Sequence, residues 1–193
     1  MCIRDRVWVR SWAGSSSENG FAVSVGPADD PWIGGGYYGT LDLDPAGGGT
    51  MVSAPGFEEN AFLVHLDVDG IFLFGGDMGG YGSDAVADLR VGAQGEVIAI
   101  GGYTDTGDFD PGPGTSTLAH VGGPDSFVLK VSAAGYLVHA AVLASAGYDQ
   151  PRAVELGPHG GIMVAGGFDG VIDLDPGPGT ASHLSNGVSD VYV

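Results

Sequence analysis

Apolar and polar residues alternate in short runs along most of the chain. Phe127, Leu129 and Val131 are interleaved with Val128 and Lys130, and Val154 and Leu156 flank Glu155. A period of two puts such side chains on one face of a strand. Between the runs lie Gly-rich turns. Ser132-Ala133-Ala134-Gly135 leads into residues 136–143, and Gly157-Pro158-His159-Gly160-Gly161 leads into Ile162-Met163-Val164-Ala165. The pattern predicts short strands joined by hairpins, four to a unit.

Composition narrows the class. The 193 residues include 37 Gly and 11 Pro, a density that interrupts every long helix. Yet 44% are hydrophobic and the mean hydropathy is +0.17, too apolar for a disordered chain. An all-β protein with many turns satisfies both. The net charge of −18 repels phosphate backbones, so nucleic acid is excluded as a partner. No apolar run reaches about 18 residues, so no membrane-spanning helix is expected.

The opening Met1-Cys2-Ile3-Arg4-Asp5-Arg6 does not continue into the pattern that follows. It resembles the translated end of a transposon used in preparing sequencing libraries, so residues 1–6 are read as an artefact. Without them the chain has no cysteine, and 4 basic against 23 acidic residues give a net −19. Disulfides and Cys-based metal sites are then excluded. The final Val191-Tyr192-Val193 lies within a strand-like run, and the chain is expected to be a fragment of a longer protein.

A repeat of about 65 residues orders the rest. GTLDLDPAGGGT (39–50), TGDFDPGPGT (106–115) and GVIDLDPGPGT (170–180) align, with Pro45, Pro111 and Pro176 spaced by 66 and 65. Gly35-Gly36-Tyr37, Gly101-Gly102-Tyr103 and Gly166-Gly167-Phe168 precede them at one offset. Asn60-Ala61-Phe62, Asp125-Ser126-Phe127 and Asp190-Val191-Tyr192 follow them, and Glu18, Asp84 and Asp149 align upstream. Four strands per repeat in one meander describe a β-propeller blade. The expected division is the last strand of a truncated blade at 7–14, blades at 15–80 and 81–146, and an incomplete blade at 147–193.

The succession Gly-Gly-Tyr/Phe, D-x-D-P-G-P-G-T and D-x-F-V-x-K resembles the bacterial β-propeller repeat family known as SBBP. The first copy departs from it at DPAGGGT, which lacks the second Pro. The resemblance implies a secreted or surface-attached bacterial propeller, commonly part of a larger protein, and a ring of seven blades.

Three pairs of acids are the candidate chemistry: Asp42/Asp44, Asp108/Asp110 and Asp173/Asp175. On a strand, residues i and i+2 share a face, so each pair presents two carboxylates together, while Leu43, Phe109 or Leu174 points into the packing. With the carbonyls of a Gly/Pro turn they are candidate ligands for Ca²⁺, which takes six to eight oxygens. The competing reading makes the second Asp a turn former ahead of Pro. Glu18, Asp84 and Asp149 are expected to reach backbone donors at blade edges, and Tyr37, Tyr103 and Phe168 to pack between strands. His65, His120, His139, His159 and His183 recur at no repeat offset, and no G-x-S-x-G or H-E-x-x-H motif occurs, so an enzyme is not expected.

The function expected is a non-catalytic binding or adhesion scaffold, meeting an unidentified protein or glycan through loops such as Tyr103-Thr104-Asp105-Thr106 and Phe57-Glu58-Glu59. Two alternatives stand beside it. One is a Ca²⁺-stabilised structural repeat; the other is part of a propeller-type lyase or glycosidase, with unique polar residues at the central channel.

Overall fold

A computed structural model describes residues 8–44, 46–177 and 179–193. Residues 1–6, Val7 of the expected truncated strand, and Pro45, which anchors the first copy of the repeat, lie outside the described residues. The predicted alternation is visible in the burial: Phe127, Leu129 and Val131 are wholly buried while Val128 and Lys130 are not.

The first unit comprises β1 (Glu18–Val25), β2 (Pro31–Tyr38), β3 (Thr40–Asp42), β4 (Met51–Ser53), β5 (Glu59–Leu66) and β6 (Phe72–Gly80). The second repeats this with β7 (Ala85–Val91), β8 (Val97–Tyr103), β9 (Gly107–Asp108), β10 (Thr117–Leu118), β11 (Asp125–Val131) and β12 (Leu137–Leu143). The third has β13 (Gln150–Leu156), β14 (Ile162–Phe168), β15 (Val171–Asp173), β16 (Ser182–Leu184) and β17 (Asp190–Tyr192). Each unit is an antiparallel meander, ordered β1-β2-β5-β6, then β7-β8-β11-β12, then β13-β14-β17. The chain is therefore all-β, a fragment of a β-propeller with four-stranded blades.

One element goes beyond the plain meander. A small hairpin is inserted between the second and third strands of every blade: β3–β4, β9–β10 and β15–β16. Each hairpin pairs with the end of the preceding blade. Gly14 bridges Leu41, Gly79 and Gly80 pair with Asp108 and Gly107, and Ala144 bridges Asp173. Neighbouring blades are thus stitched by backbone hydrogen bonds as well as by apolar packing.

The blades converge on their first strands, with β1 beside β7 and β7 beside β13. This is the side on which a closed propeller has its axis. Between the first two blades lies a core that includes Trp32, Leu63, Met78, Leu89 and Phe127. Ile98, Ile100 and Val154 pack between the second and third.

The Gly-Gly-aromatic segments are explained by a close approach. Gly35, Gly101 and Gly166 pair across the sheet with Phe62, Phe127 and Tyr192. A Cβ at these glycines would run into the carbonyl oxygens of Asn19, Ala85 and Gln150 and into the rings of those three aromatics. Only glycine leaves room for the ring to lie on the backbone. The aromatics next in sequence, Tyr37, Tyr103 and Phe168, are buried between strands as expected.

Candidate functional site

Each predicted Asp pair sits in the turn of an inserted hairpin, but the strand ends at the first Asp. Asp42 Oδ1 accepts the backbone N–H of Asp44 at 3.0 Å and of Thr50 at 2.8 Å. Asp108 Oδ1 likewise accepts from Asp110 at 3.1 Å and Ser116 at 2.8 Å, and Asp173 Oδ1 from Asp175 at 3.1 Å and Ala181 at 2.8 Å. A carboxylate that captures the N–H two residues on bends the chain out of the strand. The second Asp then closes the next turn: Asp44 holds Gly48, Asp110 holds Gly112, and Asp175 holds Gly177. Hydrogen bonds from Ala181 and Asp175 hold the Asp173 carboxyl below its usual range. Between the paired acids, Leu43 and Phe109 are wholly buried and Leu174 packs against the Phe168 cluster. Among the described residues, no three His, Cys, Asp or Glu side chains are gathered as a group that could hold a metal ion.

A second set of acids lies inside the joints between blades. Asp84 accepts the N–H of Gly80 at 2.8 Å and of Thr104 at 3.3 Å. One repeat later Asp149 accepts both the N–H and the hydroxyl of Ser145. Asp125, at the start of β11, accepts the N–H of Val121 at 2.6 Å. Burial pushes the carboxyls of Asp84 and Asp125 up to about 6, against the downward pull of these hydrogen bonds. Burial raises Asp149 as well. All three are sealed from solvent; both oxygens of Asp84 and of Asp149 accept hydrogen bonds, whereas Asp125 accepts through Oδ2 and its buried Oδ1 has no partner among the described residues.

The histidines keep to separate places. His65 Nε2 lies 2.9 Å from Asp30 and its ring stacks on Trp32. Its position in the next blade is Lys130, 3.6 Å from Glu96, so in both copies a nitrogen base faces a carboxylate across a hairpin.

The cleft that could receive a ligand lies where the first strands meet. Its volume is about 580 Å³. In β1 the pairing register slips between Gly20 and Ala22, in β7 between Val86 and Asp88, and in β13 between Pro151 and Ala153. The extra residue of each bulge is Phe21, Ala87 or Arg152, three equivalent positions of the repeat, and all three line the cleft. A bulge re-aims a side chain away from the ladder. Backbone is therefore constant here while side chain varies from aromatic to small to cationic. The same holds nearby, where Ser83 in one copy is Tyr148 in the next, and Glu59 is matched by Pro124.

Of the loop residues expected to meet a partner, Tyr103, Thr104 and Glu59 line this cleft, whereas Phe57 is exposed elsewhere. Phe21, Tyr148 and Arg152 were missed by sequence reasoning. Their signal was present in the aligned copies, as positions that change type three residues after, or just before, an aligned acid.

No family model matches the chain. It is similar over 167 residues, at 26% identity, to an uncharacterized WD repeat-containing protein of Acanthamoeba polyphaga mimivirus. That match covers 80% of this chain and 12% of the viral protein, so the chain spans a small part of its relative's length. The likeness is one of β-propeller-type repeats and agrees with the blades described above.

Proposed function

We propose that the chain is part of a non-catalytic binding scaffold, in a propeller of the SBBP-like kind exposed outside a bacterial cell, with its ligand held at the mouth formed by the first strands. One observation carries this reading. Three bulges at equivalent positions turn Phe21, Ala87 and Arg152 into a single cleft, a constant frame bearing varied side chains. Binding surfaces on repeat proteins have this form. The viral relative's name, a WD repeat protein, fits a propeller that works by contact.

Catalysis has little to draw on. Glycoside hydrolysis needs two carboxyl groups about 5–10 Å apart. Among the described residues lining the cleft Glu59 is the single carboxylate, and no His or Cys accompanies it. Retention of an oligosaccharide on the immobilised chain, with no new reducing ends over a day, supports the scaffold. Release of new reducing ends or of unsaturated products shows an enzyme instead.

The Ca²⁺-stabilised alternative would draw on a second cleft of about 330 Å³ lined by Asp77, Asp108 and Asp110. But Asp77 already accepts from Tyr37, Asp108 from two backbone N–H groups and Asp110 from Gly112, and the three are not gathered as a ligand set. Its test is the chelator comparison argued below.

A further inference from the structure

The described residues outside the first segment include four cationic side chains, and three have partners. Arg10 donates to the carbonyls of Gly70 and Val9, Arg90 contacts Asp88 at 2.8 Å and Glu155 at 3.4 Å, and Lys130 contacts Glu96 at 3.6 Å. Arg152 has neither an ion pair nor a side-chain hydrogen bond among the described residues. In a chain of net charge −18 an unpaired arginine is the exception. Its place is the exception too, on a bulge that turns it into the first-strand cleft.

Its surroundings narrow what it would take. Phe21 and Tyr148, both about half exposed, line the same cleft with Gln150 and Thr104. A guanidinium matches a carboxylate with two parallel hydrogen bonds. Flat aromatic faces beside polar side chains suit a ring that is apolar on one side and hydroxylated at its edge. Glu59, from the first blade, also lines the cleft, where it would accept from hydroxyl groups and repel a second acid. The free edges of β1, β7 and β13 are broken by their bulges at this level, which disfavours a peptide adding as a further strand.

We infer that the cleft binds a short saccharide carrying one uronic-acid residue, its carboxylate on Arg152 and its ring against Phe21 or Tyr148. The inference rests on the scaffold reading and assigns its ligand. A long polyuronate is not the ligand, because the protein's own charge repels a chain of carboxylates at low ionic strength.

The test is calorimetric titration of the full chain with an oligosaccharide bearing a single glucuronate and with its neutral glucose counterpart. Arg152 and Phe21 are exposed, and unchanged melting temperatures for Arg152→Ala and Phe21→Ala would confirm intact folding. The expected result is binding of the acidic sugar at least about tenfold tighter than the neutral one, a preference that R152A abolishes and F21A weakens. Equal binding of both sugars, or equal binding by R152A, overturns the assignment. If neither sugar binds but an acidic peptide does, in an Arg152-dependent way, the saccharide is overturned while the scaffold stands. Turnover of the sugar overturns the scaffold as well.

Discussion

Asp84 closes the joint between two blades by accepting the backbone N–H of Gly80, the last residue of β6, at 2.8 Å. The acid opens one blade and the glycine ends the one before it, so a single buried carboxylate ties the two blades at the seam. Asp84→Ala would leave that N–H buried without a partner. The expected cost is about 1–3 kcal/mol, read as a lower midpoint in urea with little change in slope.

Acidity should stabilise this protein over a range where many others weaken. Burial places the Asp84 and Asp125 carboxyls near 6, above the ordinary value of 3.8. Between those values the native state holds protons that the unfolded chain has released. Stability is therefore gained as pH falls through about 6, and the gain is complete below about 3.8. Asp30 acts the other way: burial raises its carboxyl, but hydrogen bonds from His65 and the backbone win and hold it low. Asp173 is also held low, and what these two contribute is lost only in stronger acid. Repulsion within a chain of net −18 eases on the same path. Thermal melts across the range should peak at about pH 4–5, decline through about pH 6 and level off by about pH 7. A maximum near neutrality would contradict the burial of these acids.

The first Asp of each pair should matter more than the second. Asp108 Oδ1 holds two N–H groups and ties together the two sides of its hairpin, whereas Asp110 holds the N–H of Gly112 within the turn. Asp108→Ala is expected to cost about 1–3 kcal/mol and Asp110→Ala about 1 kcal/mol. If the carboxylates serve only the turn, both losses are the same with EDTA as with millimolar Ca²⁺. A large Ca²⁺-dependent rise in melting temperature that the double variant loses would establish the ion-stabilised alternative.

Glycine positions give a sharp contrast. At Gly101 a Cβ meets the Ala85 carbonyl and the Phe127 ring, while at Gly20 nothing lies within 4 Å. Gly101→Ala should destabilise by more than about 2 kcal/mol, because strand β8 must move away from its neighbours. Gly20→Ala should be neutral or slightly stabilising. Paired denaturation curves of the two variants make the comparison.

Blades and their aromatic packing were legible because each rests on a local rule, repeated in register. The alternation around Phe127 and the glycine beside each aromatic are visible within about ten residues of chain. The stitch between Gly80 and Gly107 was not, since it pairs the end of one blade with an insertion in the next. Nor were the bulges at Phe21, Ala87 and Arg152. A bulge is a slip between two strands, and the alternation along either strand alone scarcely changes. The Asp pairs were found, but their strand was drawn two residues too long because the Asp42-to-Asp44 hydrogen bond competes with the ladder.

An uncovered blade face predicts association. Val23 of β1 is 65% exposed, yet its equivalents Leu89 and Val154 are 0% and 1% exposed beneath the preceding blade. Val25 is exposed beside it, so β1 presents a strip of apolar side chains that none of the described residues covers. Covering one such side chain is worth about 1.5–3 kcal/mol, and covering several together favours self-contact at high concentration. Sedimentation velocity should show a mass that rises with protein concentration. Val23→Lys should reduce that rise without lowering the melting temperature, because the side chain is 65% exposed among the described residues. A monomer at every concentration, with a sharp two-state melt, would mean that the strip is protected in a way the fold does not show.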